Sequence, residues 1–345
     1  MKVLITGDTG YIGSTIVPLF LKENFDVVGL DGDLFEECVF EAPDYKIPHI
    51  KKDIREVSAD DLRGFDAIVH LAALSNDPLG NLDPNLTYDI NHKASVRLAE
   101  LAREAGVQRF LFSSSCSIYG AAGQGAVDET AAFNPVTPYG HSKELVEGDV
   151  SKLATDDFSP IFLRNATVYG WSPRMRFDLV LNNLTAWAIA SGKILIKSDG
   201  TPWRPIVHVE DVGRAFIAAI HAPRERVHNQ AFNIGQSSEN YQIRDIADIV
   251  KDVVDGTEVT YAPGGEPDKR SYRVDFSKVQ RELPEWQPQW NARKGAEQLR
   301  DAYRRVGVTV DDFEGPRFRR IDLLKRLMSE GKVDKTLRWV EAMSA

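Results

Sequence analysis

A chain of 345 residues with 43% hydrophobic and 27% charged residues has ordinary globular usage, which excludes a disordered or fibrous protein and leaves room for two unequal lobes. Its net charge of -9 works against general attraction to nucleic acid or anionic lipid, and no apolar run approaches the ~18 residues expected of a membrane span. The two cysteines, Cys38 and Cys116, make no zinc-ligand spacing, so no metal is expected; with no leader-like run before the first strand, a reducing, cytoplasmic setting is.

The first strand centres on Val3 to Ile5 and runs into Gly7-Asp8-Thr9-Gly10-Tyr11-Ile12-Gly13, at the start of a helix expected over Tyr11 to Glu23. Glycines at this spacing permit a tight turn, close approach of backbone to a pyrophosphate, and close packing of helix on strand. The free N–H groups of the helix start favour phosphate. Such a turn alone serves equally well as a plain loop. Asp31 shifts the balance, because it ends the second strand, Val27 to Leu30, where a carboxylate accepts hydrogen bonds from an adenosine ribose. A carboxylate there repels a 2′-phosphate, so NAD is expected over NADP, with neighbouring Asp33 placed to share the role. Asp53 and Ile54 follow a third strand region, where the aspartate either holds adenine or caps the next turn.

A strand over Ala67 to Leu71 and a helix over Thr87 to Ala105 come next. The strand Phe110 to Phe112 ends in Ser113-Ser114-Ser115-Cys116-Ser117, a run that is either a turn or a source of a hydroxyl for a reacting oxygen. Tyr139 and Lys143 stand four residues apart in a helix expected over Tyr139 to Ala154, hence on one face. A nearby ammonium favours phenolate, which turns a tyrosine into a usable base. Ile161 to Leu163 is another strand. After Gly170 the rhythm loosens through Trp171 to Arg176 into a helix over Phe177 to Ser191; Ala231 to Ile234 is placed as a strand returning to the main sheet, and Phe318 to Ala345 reads as a surface helix. Strands alternating with helices imply an α/β protein, a doubly wound parallel sheet with a smaller interleaved α/β lobe. The expected division is 1–170 plus 206–238 for the cofactor lobe, and 171–205 plus 239–345 for the other.

With these residues in hand, the chain resembles the extended short-chain dehydrogenases/reductases, within them the NAD-dependent epimerases and dehydratases that include UDP-galactose 4-epimerase. The likeness spans roughly residues 1 to 305 and rests on Gly7, Gly10 and Gly13, Asp31, Asp53-Ile54, His70-Leu71-Ala72-Ala73, Asn91, Ser113 to Gly120, Tyr139 with Lys143, and Leu163-Arg164 before Val168-Tyr169-Gly170. It implies a Rossmann lobe and a nucleotide-diphosphate sugar as substrate. Ser115 is the implied catalytic hydroxyl, Tyr139 the acid/base, and Lys143 the holder of the nicotinamide ribose. Tyr11, Ile12, Asp53, Ile54, Leu71, Ala72, Ala73, Asn91 and Ser113 are implied to line the cofactor channel. Ser117, Thr167, Asn183, Arg204 and Arg270 are implied on the substrate. A homodimer through a four-helix bundle of the helices near 91–105 and 139–154 is also implied.

The departures bear on the reaction. Ser115-Cys116-Ser117 stands where the family's 4,6-dehydratases resemble Thr-Asp-Glu, so the carboxylates for water elimination are missing. Cys116 sits one residue before the place of the reductive epimerases' cysteine and is expected to pack rather than act as an acid. Thr167 replaces the family's usual asparagine near the sugar. The expected reaction is C4 epimerisation through a transient 4-keto sugar; the alternatives are a 4-keto-sugar reductase or dehydrogenase using NAD(P)H, a dehydratase, and a non-catalytic NAD-sensing protein.

Overall fold

The structure is a computed structural model that describes residues 1–75, 83–121, 123, 125–262 and 271–340. Its strands in chain order are β1 Lys2–Thr6, β2 Asp26–Asp31, β3 His49–Lys51, β4 Ala67–His70, β5 Arg109–Ser115, β6 Ala126–Val127, β7 Ser159–Asn165, β8 Thr167–Tyr169, β9 Lys193–Ile196, β10 Trp203–His208, β11 Gln230–Ile234, β12 Asn240–Gln242, β13 Glu258–Tyr261 and β14 Arg273–Val274. Seven of them form one sheet in the order β11-β7-β5-β4-β1-β2-β3, all parallel. A parallel sheet covered by helices on both faces needs continuous apolar strands, and Val3 to Ile5, Ile68 with Val69, and Phe110 to Phe112 are accordingly buried. Every strand expected from the sequence is present in this sheet, including β11 at its edge. The third strand region before Asp53 is β3, three residues of which His49 and Lys51 are exposed, too short to show an alternation.

The chain winds outward from β1 in both directions, so the sheet order reverses between β1 and β4. That switch point leaves a crevice beyond the carboxyl ends of the strands, where such folds hold ligands. Helix Gly13–Lys22 follows β1, and helix Val209–His221 lies against it because Gly213 has no Cβ to meet Ile16 and Leu19. Helix Pro138–Ser151 starts on Thr137, whose hydroxyl accepts the Gly140 N–H at 3.2 Å, with Pro138 in the first turn. The single helix expected over Thr87 to Ala105 is instead interrupted: Tyr88–Lys93 is π-helical and Ala94–Glu104 α-helical. The wide turn accommodates Asn91, whose amide reaches both the N–H (2.8 Å) and C=O (3.0 Å) of Leu74.

Beyond β7 the chain builds smaller sheets. β8 pairs in parallel with β10, which pairs antiparallel with β12; β9 pairs with β13, and β6 with β14. Helix Val180–Ser191 begins three residues later than expected and ends on Gly192, left-handed at φ 69°. The surface helix expected over Phe318 to Ala345 is shorter: Arg320–Ser329 is helical and buries Leu323, Leu324 and Leu327, and beyond it Val333 bridges Trp339 instead. No helix among the described residues is long and apolar enough to cross a membrane.

Candidate active site

Two adjoining cavities occupy the crevice, and their walls share Tyr11, Ile12, Leu71, Ala73, Ser75 and Arg176. The smaller, of about 130 Å³, is walled by Gly7, Gly10, Gly13, Asp31, Asp53, Ile54 and Ala72. The larger, of about 680 Å³, is walled by Ser113, Ser115, Ser117, Tyr139, Lys143, Thr167 and Arg204. Residues far apart in sequence thus meet in one cleft.

The glycine turn explains itself sterically. Gly7 sits at φ 77°, and a Cβ on it would lie 2.8 Å from the Ala72 nitrogen; a Cβ on Gly13 would collide with the Gly7 carbonyl. Gly7 N–H donates to the Leu30 carbonyl at 2.8 Å, which ties the turn to the end of β2. Asp31 Oδ1 accepts the Asp33 N–H (3.0 Å), and the carboxyl is pushed up to about 6 by desolvation, with Asp8 and Asp33 adding to the rise. Asp33, expected to share the role of Asp31, is outside the cavity wall and holds Thr9 (3.0 Å), His49 (3.3 Å) and Lys51 (3.6 Å). His49, bonded to Asp33 and to Asp8 (2.9 Å), is raised by those hydrogen bonds to about 10. Asp53 caps the turn Ile54–Glu56, accepting Arg55 N–H at 2.8 Å while also pairing with the Arg55 guanidinium. The cradle therefore fits a dinucleotide: a Cβ-free turn at a helix start for phosphate, and a carboxylate with acceptor capacity for ribose.

At the larger cavity, Tyr139 and Lys143 share one face of helix Pro138–Ser151. Lys143 is buried; its Nζ donates to the Ser113 carbonyl at 2.7 Å and lies 5.7 Å from the Tyr139 ring centroid. Burial pulls the ammonium down to about 7, opposed by Glu147 one turn on. Ser115 ends β5 and its Oγ accepts the Ser117 N–H at 3.1 Å, starting the turn Cys116–Tyr119. Ser117 Oγ and Asn165 Oδ1 are buried without a hydrogen-bond partner, both in the wall of this cavity. Cys116 donates to the Arg164 carbonyl at 3.1 Å and burial raises its thiol well above the ordinary value, so it packs, as expected. Behind it Arg164 and Glu147 pair at 2.7 Å, fully enclosed, with Ser114 and Tyr119 completing the network.

Two residues expected in the site are not in either wall. Asn91 uses its amide on Leu74 and so shapes the loop after β4, and Asn183 donates to the Phe177 carbonyl at 2.8 Å. Arg270 lies outside the described residues. Tyr11 is in both walls, but its hydroxyl is engaged by Gly170 (2.8 Å) and Asn182 (3.1 Å). Conversely, Asn165, Arg176 with its ion partner Asp178 (2.6 Å), and Arg320 line the cleft without having been singled out. Arg176 belongs to a Pro/Arg-rich stretch just after Tyr169-Gly170 whose density of charge was a usable signal; Arg320 offered none. Among the described residues Asp178 is the one carboxylate in the larger wall, and it is held by Arg176. No cluster of metal-ligating side chains occurs among the described residues.

The sequence model of the NAD dependent epimerase/dehydratase family matches residues 3–235. A UDP-glucose 4-epimerase of Lactobacillus helveticus is 30% identical, the match covering 84% of this chain and 92% of that one. A UDP-glucose 4-epimerase of Mycolicibacterium smegmatis is 31% identical over 84% of this chain and 94% of its own. Among solved structures, MoeE5 in complex with UDP-glucuronic acid and NAD superimposes with a TM-score of 0.77 at 29% identity, covering 88% of this chain and 99% of that one. The UDP-glucuronic acid 4-epimerase of Bacillus cereus, with UDP-glucuronic acid and NAD, gives 0.74 at 25% identity over 89% and 100%.

Proposed function

The chain belongs to the NAD dependent epimerase/dehydratase family, and on that premise we propose that it is an NAD-dependent nucleotide-sugar epimerase acting at sugar C4 through a transient 4-keto sugar. One observation carries the reading: the cavity walled by Ser115, Tyr139 and Lys143 opens into the cavity walled by the glycine turn and Asp31.

NAD, when bound, supplies reversible hydride exchange with the sugar carbon, with no net redox change over the cycle. The chain does the rest. Gly7, Gly10 and Gly13 admit the pyrophosphate to backbone N–H groups, and Asp31 accepts from the adenosine ribose. Tyr139 Oη takes the proton from the C4 hydroxyl and returns it later. Lys143, fixed by the Ser113 carbonyl, lends positive charge beside that phenol and a donor to the nicotinamide ribose. Ser115 Oγ donates to the reacting oxygen. Ser117, Thr167 and Arg204 hold the sugar diphosphate, and Asn165 offers an acceptor where Thr167 replaces the usual asparagine. Dehydration lacks support, because Asp178 is tied to Arg176 and Ser115-Cys116-Ser117 carries no carboxylate.

The test is incubation with UDP-glucose and UDP-glucuronic acid, following sugar stereochemistry by NMR and the nicotinamide absorbance together. The expected result is an epimeric product formed with catalytic NAD and no net change at the nicotinamide band. Mole-for-mole consumption of NADH would replace this reading by a one-way 4-keto-sugar reductase.

Further proposals accompany this one. Residues 1–170 with 206–238 form the cofactor lobe, and 171–205 with 239–345, including Asn183 and Arg270, the substrate lobe, whose C-terminal extension reaches back to the cofactor lobe. The chain works in a reducing cytoplasm, in keeping with its two buried free thiols. It forms a homodimer through helices Ala94–Glu104 and Pro138–Ser151, where Val96, Leu101 and Leu145 are only partly covered. Sedimentation velocity reads this directly, a monomer at working concentration being the contrary outcome.

A further inference from the structure

The segment after residue 315 lies beyond the family match and beyond the motifs that build the site, yet it packs against the adenosine side of the cleft. Phe318 stacks on Phe40 with ring centroids 4.4 Å apart, and Arg326 pairs with Glu37. Further along, the Trp339 indole donates to the Gly32 carbonyl, and Arg55 donates to the Thr336 carbonyl at 2.9 Å. Both stretches that flank the small cavity, 32–40 and 55–56, are thereby tied to the end of the chain.

At the start of this segment stands Arg320. It lies in the wall of the same cavity as Gly7, Gly13 and Asp31, and is 7% exposed. Its guanidinium rests over the Phe35 ring, 4.7 Å from the centroid, while Nε and Nη2 are buried with no hydrogen-bond partner. No carboxylate forms an ion pair with it among the described residues. The other arginines of the wall are neutralised: Arg55 by Asp53 at 2.5 Å and Arg176 by Asp178 at 2.6 Å. An enclosed cation with unused donors is costly unless an anion answers it. Its strongest charged neighbour is Arg176, the residue at the junction of the two cavities, and burial together with that cation pulls Arg320 down to about 10.

We propose that Arg320 is a cofactor-binding residue that donates Nε and Nη2 to the pyrophosphate of the dinucleotide, and that residues 317–339 strap the adenosine half of the cleft. Arg320 shares the wall of the small cavity with Gly7, Gly10 and Gly13, where the pyrophosphate would lie, while Asp31 in that wall repels a 2′-phosphate, so the pyrophosphate is the anion that answers it. This rests on the dinucleotide reading of the small cavity, and the test separates the two.

Dissociation constants of the full-length protein for NADH, ADP, NADP⁺ and adenosine are compared between wild type and Arg320→Met, with thermal melting of both proteins free of nucleotide. Arg320→Met is expected to weaken NADH and ADP by about 10- to 100-fold, the worth of a charge-assisted pair of hydrogen bonds, and adenosine by less than about twofold. Ligand-free melting stays level or rises, because an unanswered cation has been removed. Equal losses for ADP and adenosine with a lowered melting point would mean a structural role and overturn the proposal, as would unchanged ADP binding. A loss confined to NADP⁺ would assign the guanidinium to a 2′-phosphate and overturn the pyrophosphate contact. If the wild type binds neither NADH nor ADP, the dinucleotide reading itself fails. Arg320→Lys keeps the charge but not the fork, and is expected to fall between the two proteins; if the methionine variant does not fold, undiminished ADP binding by the lysine variant overturns the proposal.

Discussion

The two ends of the cleft are assembled in opposite ways. At the end proposed for the chemistry the side chains come from short pieces of chain: Ser113 and Ser115 lie on β5 with Ser117 just after it, and Tyr139 and Lys143 share one helical face. At the adenosine end, residues 7–13, 31–35 and 53–55 meet Arg176 and then Arg320, which arrives from the far end of the sequence. Proton chemistry needs fixed spacing over a few ångströms, which one helix turn supplies. Enclosing half of a dinucleotide needs walls on several sides, which only distant segments provide.

The comparison is most sharply tested by separating chemistry from cofactor binding. Tyr139→Phe should lower kcat by about 10²- to 10⁴-fold, the usual contribution of a positioned acid/base, while the NADH dissociation constant stays as it is. Turnover that survives this change would remove Tyr139 from the chemistry. Next in size is Asp31→Asn, at the other end: NADH should bind about 10-fold less tightly, with the discrimination against NADP⁺ reduced, as fluorescence titration would report. An unchanged NADH/NADP⁺ ratio would move the ribose contact elsewhere. Gly7→Ala forces a side chain into left-handed backbone against Ala72, and should lower stability by about 1–2 kcal/mol and weaken NADH binding while Tyr139 and Lys143 keep their places. Its readouts are melting temperature and NADH titration, and an undisturbed protein would show that the turn has slack.

The smallest expected effect concerns the Asp8–His49–Asp33 cluster behind the turn. His49 has its folded value raised from 6.5 to about 10, so its stabilising contribution is full below pH 6.5 and disappears as pH rises toward 10. Melting temperature should therefore carry a falling component across that window, which His49→Gln flattens. A variant with the wild-type slope would clear His49 of that role.

Legibility followed the same division. The central strands of the main sheet were readable because burial on both faces demands continuous apolar runs, whereas the region of β3 was given no bounds because its three residues, two of them exposed, show no pattern. Asp31 was readable by its place at the end of β2, whereas the contacts that draw neighbouring Asp33 away from the cavity wall to Thr9 and His49 were not. Asn91 was legible as a motif residue but not in its surroundings, since its hydrogen bonds to Leu74 depend on a π-helical turn. Asn183 sits in a segment whose helix begins later than its periodicity suggested, and its amide is held by Phe177.

By itself the sequence determined the alternating α/β order, the Cβ-free turn, the carboxylate after β2 and the phenol–ammonium pair, because each of these is a short-range requirement written in adjacent residues. Tertiary structure alone decided that Arg176 stands in the walls of both cavities and that the end of the chain brings Arg320 to the cavity of the glycine turn. Those facts depend on which distant surfaces meet, and no spacing along the chain encodes that.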